Sequence, residues 1–176
     1  MTTTPYPILT YPDPFLQRPV AKVKNIDKAL HNTIDRMAVT MYDAPGVGLA
    51  AIQVGINQRM LIYDIAPRDD DRDLHVLINP KITAHDGTTL SKDEGCLSVP
   101  DFRADVNRAA RIHVTGYDEN EHPLDFDADG FLAIVLQHEI DHLDGKLFIE
   151  RVSALKRRLY KRRIRKQLRH DDTTGA

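Results

Sequence analysis

A single cysteine, Cys96, stands in this chain of 176 residues. An intrachain disulfide is therefore excluded, and with it the stapled architectures of small secreted domains; the thiol is left as core filler, nucleophile or metal ligand. Long apolar runs are also lacking. No stretch has enough consecutive apolar residues to span a bilayer, and the opening "MTTTPYPILTYPDPF" has no basic segment leading into an apolar one. The chain reads as cytoplasmic, with no membrane among its partners. Internal repeats and low-complexity tracts are absent too. What remains, 41% hydrophobic and 28% charged residues, is ordinary globular composition, and the length predicts one domain over residues 1–176.

Net charge is only −2, but it is unevenly spread. The segment "KRRLYKRRIRKQLRH", Lys156 to His170, carries nine Lys and Arg and no acid, whereas "PRDDDRD", Pro67 to Asp73, is mainly acidic. The Pro-rich first twenty residues predict an extended arm laid on the surface. In "NIDKALHNTIDRMAVTMYDAPG" the residues Ile26, Leu30, Ile34, Met37 and Met41 recur at helical spacing until Pro45 and Gly46 end the run. "RMLIYDI" and "HVLINPKI" predict strands, and "ARIHVTGYD" with "HPLDFDAD" predicts a hairpin around Glu119-Asn120-Glu121. A second helix starts near Asp127 or Asp129, runs through "GFLAIVLQHEIDHLDG" and stops at Gly145. Ser153 reads as the N-cap of a last, basic helix over 154–170. The expected fold class is α+β: antiparallel or mixed sheets around a central helix, with an N-terminal helix and a basic C-terminal one.

That central helix carries His138-Glu139-x-x-His142. Imidazoles four residues apart share a helix face and can reach one ion, with the glutamate beside them as a general base. The surrounding "FLAIVL" places both histidines on a buried face, where an uncompensated imidazole is costly and a metal is a natural partner. Two histidines are one ligand short. The long zinc-protease pattern continues through Gly145 but has Phe148 where its third histidine belongs, and Glu150 follows His142 too closely to return to the same ion. The third ligand therefore lies upstream, and Cys96 in "DEGCLSVP" is the one soft candidate there. A thiolate with two imidazoles suits zinc or ferrous iron and leaves a position open for water.

Together these residues resemble a known family. "GVGLAAIQVG" (Gly46 to Gly55), "EGCLS" (Glu94 to Ser98) and "QHEIDH" (Gln137 to His142) are similar to the three motifs of bacterial peptide deformylase, in that family's order and near its spacing. The likeness runs from the Pro-rich arm to the basic tail. It implies a hydrolase that removes the formyl group from the N-terminal formyl-methionine of new polypeptides. It further implies one ferrous ion per chain, with zinc, nickel or cobalt as substitutes, held by Cys96, His138 and His142. Glu139 is then the acid/base, and Gln53 with the backbone N–H of Leu97 holds the oxyanion.

The substrate groups follow more loosely. Gly46-x-Gly48-x-x-Ala51 superficially fits a dinucleotide fingerprint, but a helix precedes it where a strand is required. Glycines there, Gly48 among them and Gly95 beside the cysteine, are instead expected to admit an extended peptide close to the backbone. Phe131, Ile134 and Val135 precede His138 on the same helix face and read as core whose metal-proximal part, with Val47, walls a methionine pocket. Arg103 is a candidate for holding substrate carbonyls. Asp141 supports a ligand or sits in an ion pair; the sequence does not decide which. Two rivals stay in view: a cysteine hydrolase with Cys96 as nucleophile, which leaves His142 unexplained, and an RNA-binding module built on the tail. In the tail, Leu155, Leu159, Ile164 and Leu168 read as one apolar stripe, and its charge predicts docking on ribosomal RNA.

Overall fold

The computed structural model describes residues 4–67 and 70–174. The first helix, α1 (Lys28–Asp43), begins where Asp27 accepts a hydrogen bond from the Leu30 N–H at 3.0 Å, and its buried stripe includes Leu30, Ile34, Met37 and Met41. Five strands form one sheet: β1 (Gly48–Ala50), β2 (Met60–Tyr63), β3 (His75–Asp86), β6 (Arg111–Tyr117) and β7 (Pro123–Asp129), in the order β1-β2-β3-β6-β7. Every pairing is antiparallel. The predicted β6–β7 hairpin closes because Asp118 Oδ1 accepts from the N–H groups of Asn120 and His122, each at 2.8 Å.

The sheet is covered on both faces. Met60 and Ile62 of β2 pack toward α1 with Leu49 and Ile78, while Leu61 and Tyr63 point the other way, toward Leu136 and Ile140 of α2 (Gly130–Leu143). The two-residue period of a strand sends alternate side chains to opposite faces, so a short all-apolar run serves both helices. Helix α2 is thus central, buried along its whole second half from Val135 to Leu143. It ends at Gly145, whose φ of +73° favours glycine and where a Cβ would lie 2.7 Å from the Arg18 carbonyl carbon.

Three expectations change. A second, two-stranded sheet, β4 (Thr89–Cys96) paired with β5 (Val99–Arg108), went unread in the sequence; "TLSKDEGC" has no clean alternation, and the pairing is interrupted twice, between Ser91 and Glu94 and between Glu94 and Cys96. The N-terminal arm is not merely laid on the surface. Leu16 is fully buried in a third apolar cluster with Val99, Phe148, Tyr160 and Ile164, and the arm donates backbone hydrogen bonds from Leu9 to Gln53 (2.7 Å) and from Tyr11 to Ser98 (2.8 Å). Last, α3 (Ala154–Thr174) is capped by Ser153, which accepts from the Lys156 N–H at 3.3 Å, but its leucines do not form one stripe. Tyr160 and Ile164 face inward, whereas Leu155, Leu159 and Leu168 are exposed. At 100° per residue Leu159 and Leu168 lie on opposite sides of the helix, and the Tyr160–Ile164 edge packs into the domain.

Candidate active site

Helix α2 brings His138 and His142 one turn apart, with Nε2 atoms 3.3 Å from each other. Cys96 arrives from the end of β4, where its pairing with Val99 closes a two-residue turn of Leu97 and Ser98. Its Sγ lies 3.2 Å from His142 Nε2, and one donor atom from each of the three residues lies within 4.8 Å of the others. Phe148, at the position of the absent third histidine, is a buried wall whose ring sits 5.9 Å from that of His138.

The cluster fits a divalent cation. Sulfur with two imidazole nitrogens is a donor set for zinc or ferrous iron. Burial, aided by the positive charge of His138, holds the pKa of His142 well below its ordinary value, which keeps the ring neutral and its lone pair available. Burial would lower His138 as well, but the negative charge of Cys96 and the hydrogen bond to Glu94 outweigh it and raise His138 well above its usual value. Glu139 Oε2 is buried without a hydrogen-bond partner, a costly position unless a ligand addresses it.

Behind the ligands runs a chain of buried charges. His138 Nδ1–H donates to Glu94 Oε1 at 2.8 Å, which leaves Nε2 free to face the cluster. Arg108 grips Glu94 with two bonds, Nε to Oε2 at 2.8 Å and Nη2 to Oε1 at 2.5 Å. Its Nη1 donates to Asp141 Oδ2 at 3.1 Å, and Asp141 is also held by Arg151 through Nε and Nη2. Burial pushes the Glu94 carboxyl up, but the bonds from Arg108 and His138 bring it down to about 2, so it is an ionised acceptor. Asp141 is therefore an anchor of this network and not an isolated surface pair. Sequence reasoning missed Glu94 and Arg108. A signal existed for Arg108: it follows Ala104 and Val106 at two-residue spacing, a charge in the inward phase of β5.

Glu139 is nearly enclosed, 5% exposed, and burial pushes its carboxyl up to about 7 against the positive charges of His138 and Arg108. Gly48 makes room for it: a Cβ there would lie 2.7 Å from Glu139 Oε1. Gln53 is fixed at its other side, its Oε1 accepting from the Ala50 N–H (2.8 Å) and its Nε2 donating to Ser98 Oγ (3.1 Å), with Cys96 Sγ 3.8 Å away. Ser98, fully buried, is another residue the sequence did not single out.

These groups open into a cleft of about 760 Å³. Val47, Gly48, Gly95, Arg103, Phe131, Ile134 and Val135 all line it, as do Gln53, Leu97 and Glu139. Their environments differ. Val135 is core at 5% exposure, whereas Phe131 stands at the mouth at 55% and is not the core residue expected of it. The side chain of Arg103 crosses Gly95, where a Cβ would meet its guanidinium carbon at 3.3 Å, and pairs with Asp93.

Residues 5–158 match the family model of polypeptide deformylase. The peptide deformylase of Desulfosudis oleivorans is 50% identical over 162 residues, 92% of this chain and 94% of that one. The crystal structure of a peptide deformylase from Legionella pneumophila superposes with a TM-score of 0.86 at 38% identity, covering 96% of this chain and 98% of that chain. A class I type b peptide deformylase from Acinetobacter baumannii, solved with Met-Ala-Ser bound, superposes at 0.81 with 32% identity, covering 86% of this chain and all of that one. The chain belongs to the peptide deformylase family, metal-dependent hydrolases that remove the formyl group from N-terminal formyl-methionine.

Proposed function

We propose that Cys96, His138 and His142 hold one divalent metal, natively ferrous iron with zinc, nickel or cobalt as substitutes, and that Glu139 is the acid/base of deformylation. The observation that carries this is the convergence of three donors beside a buried carboxylate whose pKa, near 7, suits both uptake and release of a proton at neutral pH. When bound, the metal supplies Lewis acidity, which makes hydroxide available near neutral pH. Glu139 accepts the proton of the attacking water and returns it to the leaving amine. The Gln53 amide and the Leu97 N–H receive the charge that develops on the formyl oxygen. Gln53 suits that task because its amide is held at both ends and carries no protonation change with pH. Val47, Phe131, Ile134 and Val135 shape the methionine pocket, and Gly48, Gly95 and Arg103 receive the peptide backbone, in keeping with the peptide bound by the A. baumannii relative. Release of formate from formyl-Met-Ala-Ser, abolished by chelator and restored by one metal per chain, tests the whole assignment. Undiminished release after complete metal removal supports the thiol-nucleophile rival instead.

Gln53→Leu is expected to lower kcat by about 10²–10³ with a smaller change in KM, because an oxyanion donor acts mainly in the transition state. Steady-state kinetics on the metal-loaded variant decides, and a rise in KM alone removes Gln53 from that role. For iron, an open position beside a cysteine sulfur invites oxygen, which can carry Cys96 toward sulfinic and sulfonic acid. Activity of the iron form should therefore decay in air while the zinc form persists. Full activity of iron-loaded protein after prolonged aeration, with an unchanged Cys96 peptide mass, counts against iron here.

No helix among the described residues is long and apolar enough to cross a membrane. We place the enzyme in the cytoplasm, where its one thiol stays reduced, and assign its basic helix to ribosomal RNA. Tyr160 and Ile164 belong to a buried cluster, so the test keeps the helix and changes only its outward charges. Arg158, Arg162, Arg165 and Lys166 are exposed on the outward side. Changing all four to glutamine should spare turnover on short peptides and flatten the salt dependence of ribosome binding by roughly 3 in log–log slope. Co-sedimentation equal to that of the unaltered protein sinks the idea.

A further inference from the structure

On the far side of α2 from the substrate cleft lies a second cavity of about 480 Å³, reached from β3 and the end of β5. Its lining holds five permanently cationic side chains, Arg59, Lys81, Arg108, Lys146 and Arg151, and two carboxylates, Asp141 and Asp144. The carboxylates are already engaged. Asp144 pairs with Arg59 at 2.8 Å, and Asp141 is shared between Arg108 and Arg151, while Arg108 is neutralised from its other side by Glu94. Lys81 and Lys146 are left over: among the described residues neither has a carboxylate within ion-pair distance. The floor is a guanidinium with no exposed surface, that of Arg108, and Thr88 and Asn107 add neutral hydrogen-bonding groups.

The geometry points to a binding site for a phosphate dianion, free or as the end of a monoester, between Lys81 and Lys146. Two surplus positive charges match a dianion. Ammonium groups on flexible stems close around a tetrahedral anion as point charges, and the paired arginines give the pocket a rigid back. The volume also accommodates an organic group attached to the phosphate.

The test is a titration of the zinc-loaded protein in low-salt buffer, once with inorganic phosphate and once with a nucleoside 5′-monophosphate, followed by backbone amide NMR. Saturable shifts at Lys81, Thr88, Asn107 and Lys146 are expected at millimolar ligand, and added sodium chloride should weaken them. The double variant K81E/K146E should lose about tenfold or more in affinity while keeping its turnover on formyl-peptide. Comparable binding of the nucleotide identifies a phosphate carried on a larger molecule; binding of inorganic phosphate alone identifies the free ion. Shifts confined to the surroundings of Cys96 and Glu139, or undiminished affinity in the double variant, overturn the proposal.

Discussion

Glu139→Ala is expected to bind one metal per chain and to lose about 10²–10⁴ in turnover, the usual contribution of a positioned general acid and base. Cys96, His138 and His142 remain in place in this variant, so metal content should not change. Stability should not fall with activity either. Glu139 Oε2 has no hydrogen-bond partner and the side chain is 5% exposed, so removing the carboxylate relieves a desolvation cost as it opens a small cavity. Thermal unfolding of the loaded variant, metal analysis and formate release, taken together, separate the chemistry from the fold. Near-normal turnover in a metal-replete Glu139→Ala protein removes the residue from its proposed role.

Arg108→Met should be the most damaging single change away from the cleft. It leaves Glu94 buried without its cation and Asp141 with Arg151 alone, and breaking a buried pair from one side costs about 3–5 kcal/mol. The loss should reach the metal as well. Glu94 orients His138 through Nδ1, and loss of such a support typically weakens metal affinity by about 10–100-fold. Arg108→Lys keeps the charge but cannot reproduce the two-pronged grip on Glu94, so it should fall between. Should Arg108→Met fail to fold, Glu94→Gln offers a milder test, since its amide oxygen can still accept from His138. Denaturant midpoints and competition with a chelator measure the two effects. Unchanged metal affinity in both variants would detach the network from the ligands.

Local rules carried the sequence reading a long way. The stripe of α1, the strands around "RMLIYDI" and "HVLINPKI", the Asp118 turn, the Gly145 stop and the Ser153 cap all depend on residues near one another in the chain. His138, Glu139 and His142 were legible for the same reason, because one helical turn sets their spacing. Where periodicity faded, reading failed. The β4–β5 hairpin is polar and twice interrupted, and in α3 the leucines are spread around a helix that buries Tyr160 and Ile164 against the domain.

The sequence by itself determined which residue types were on hand for a metal and that Cys96 was the one soft ligand left. It also determined α1, β2, β3, the β6–β7 hairpin, α2 and α3 in their order, since caps, turns and side-chain period act over a few residues. Only the tertiary structure decided that Cys96 meets His142 across 46 residues, that Gly48 yields its Cβ space to Glu139, and that Glu94, Arg108, Asp141 and Arg151 stand in line behind His138. The reason is the low polarity of the interior. A charge buried between α2 and β5 persists only if its partners arrive from other elements, and which elements meet there is set by packing, which no local pattern of residues records.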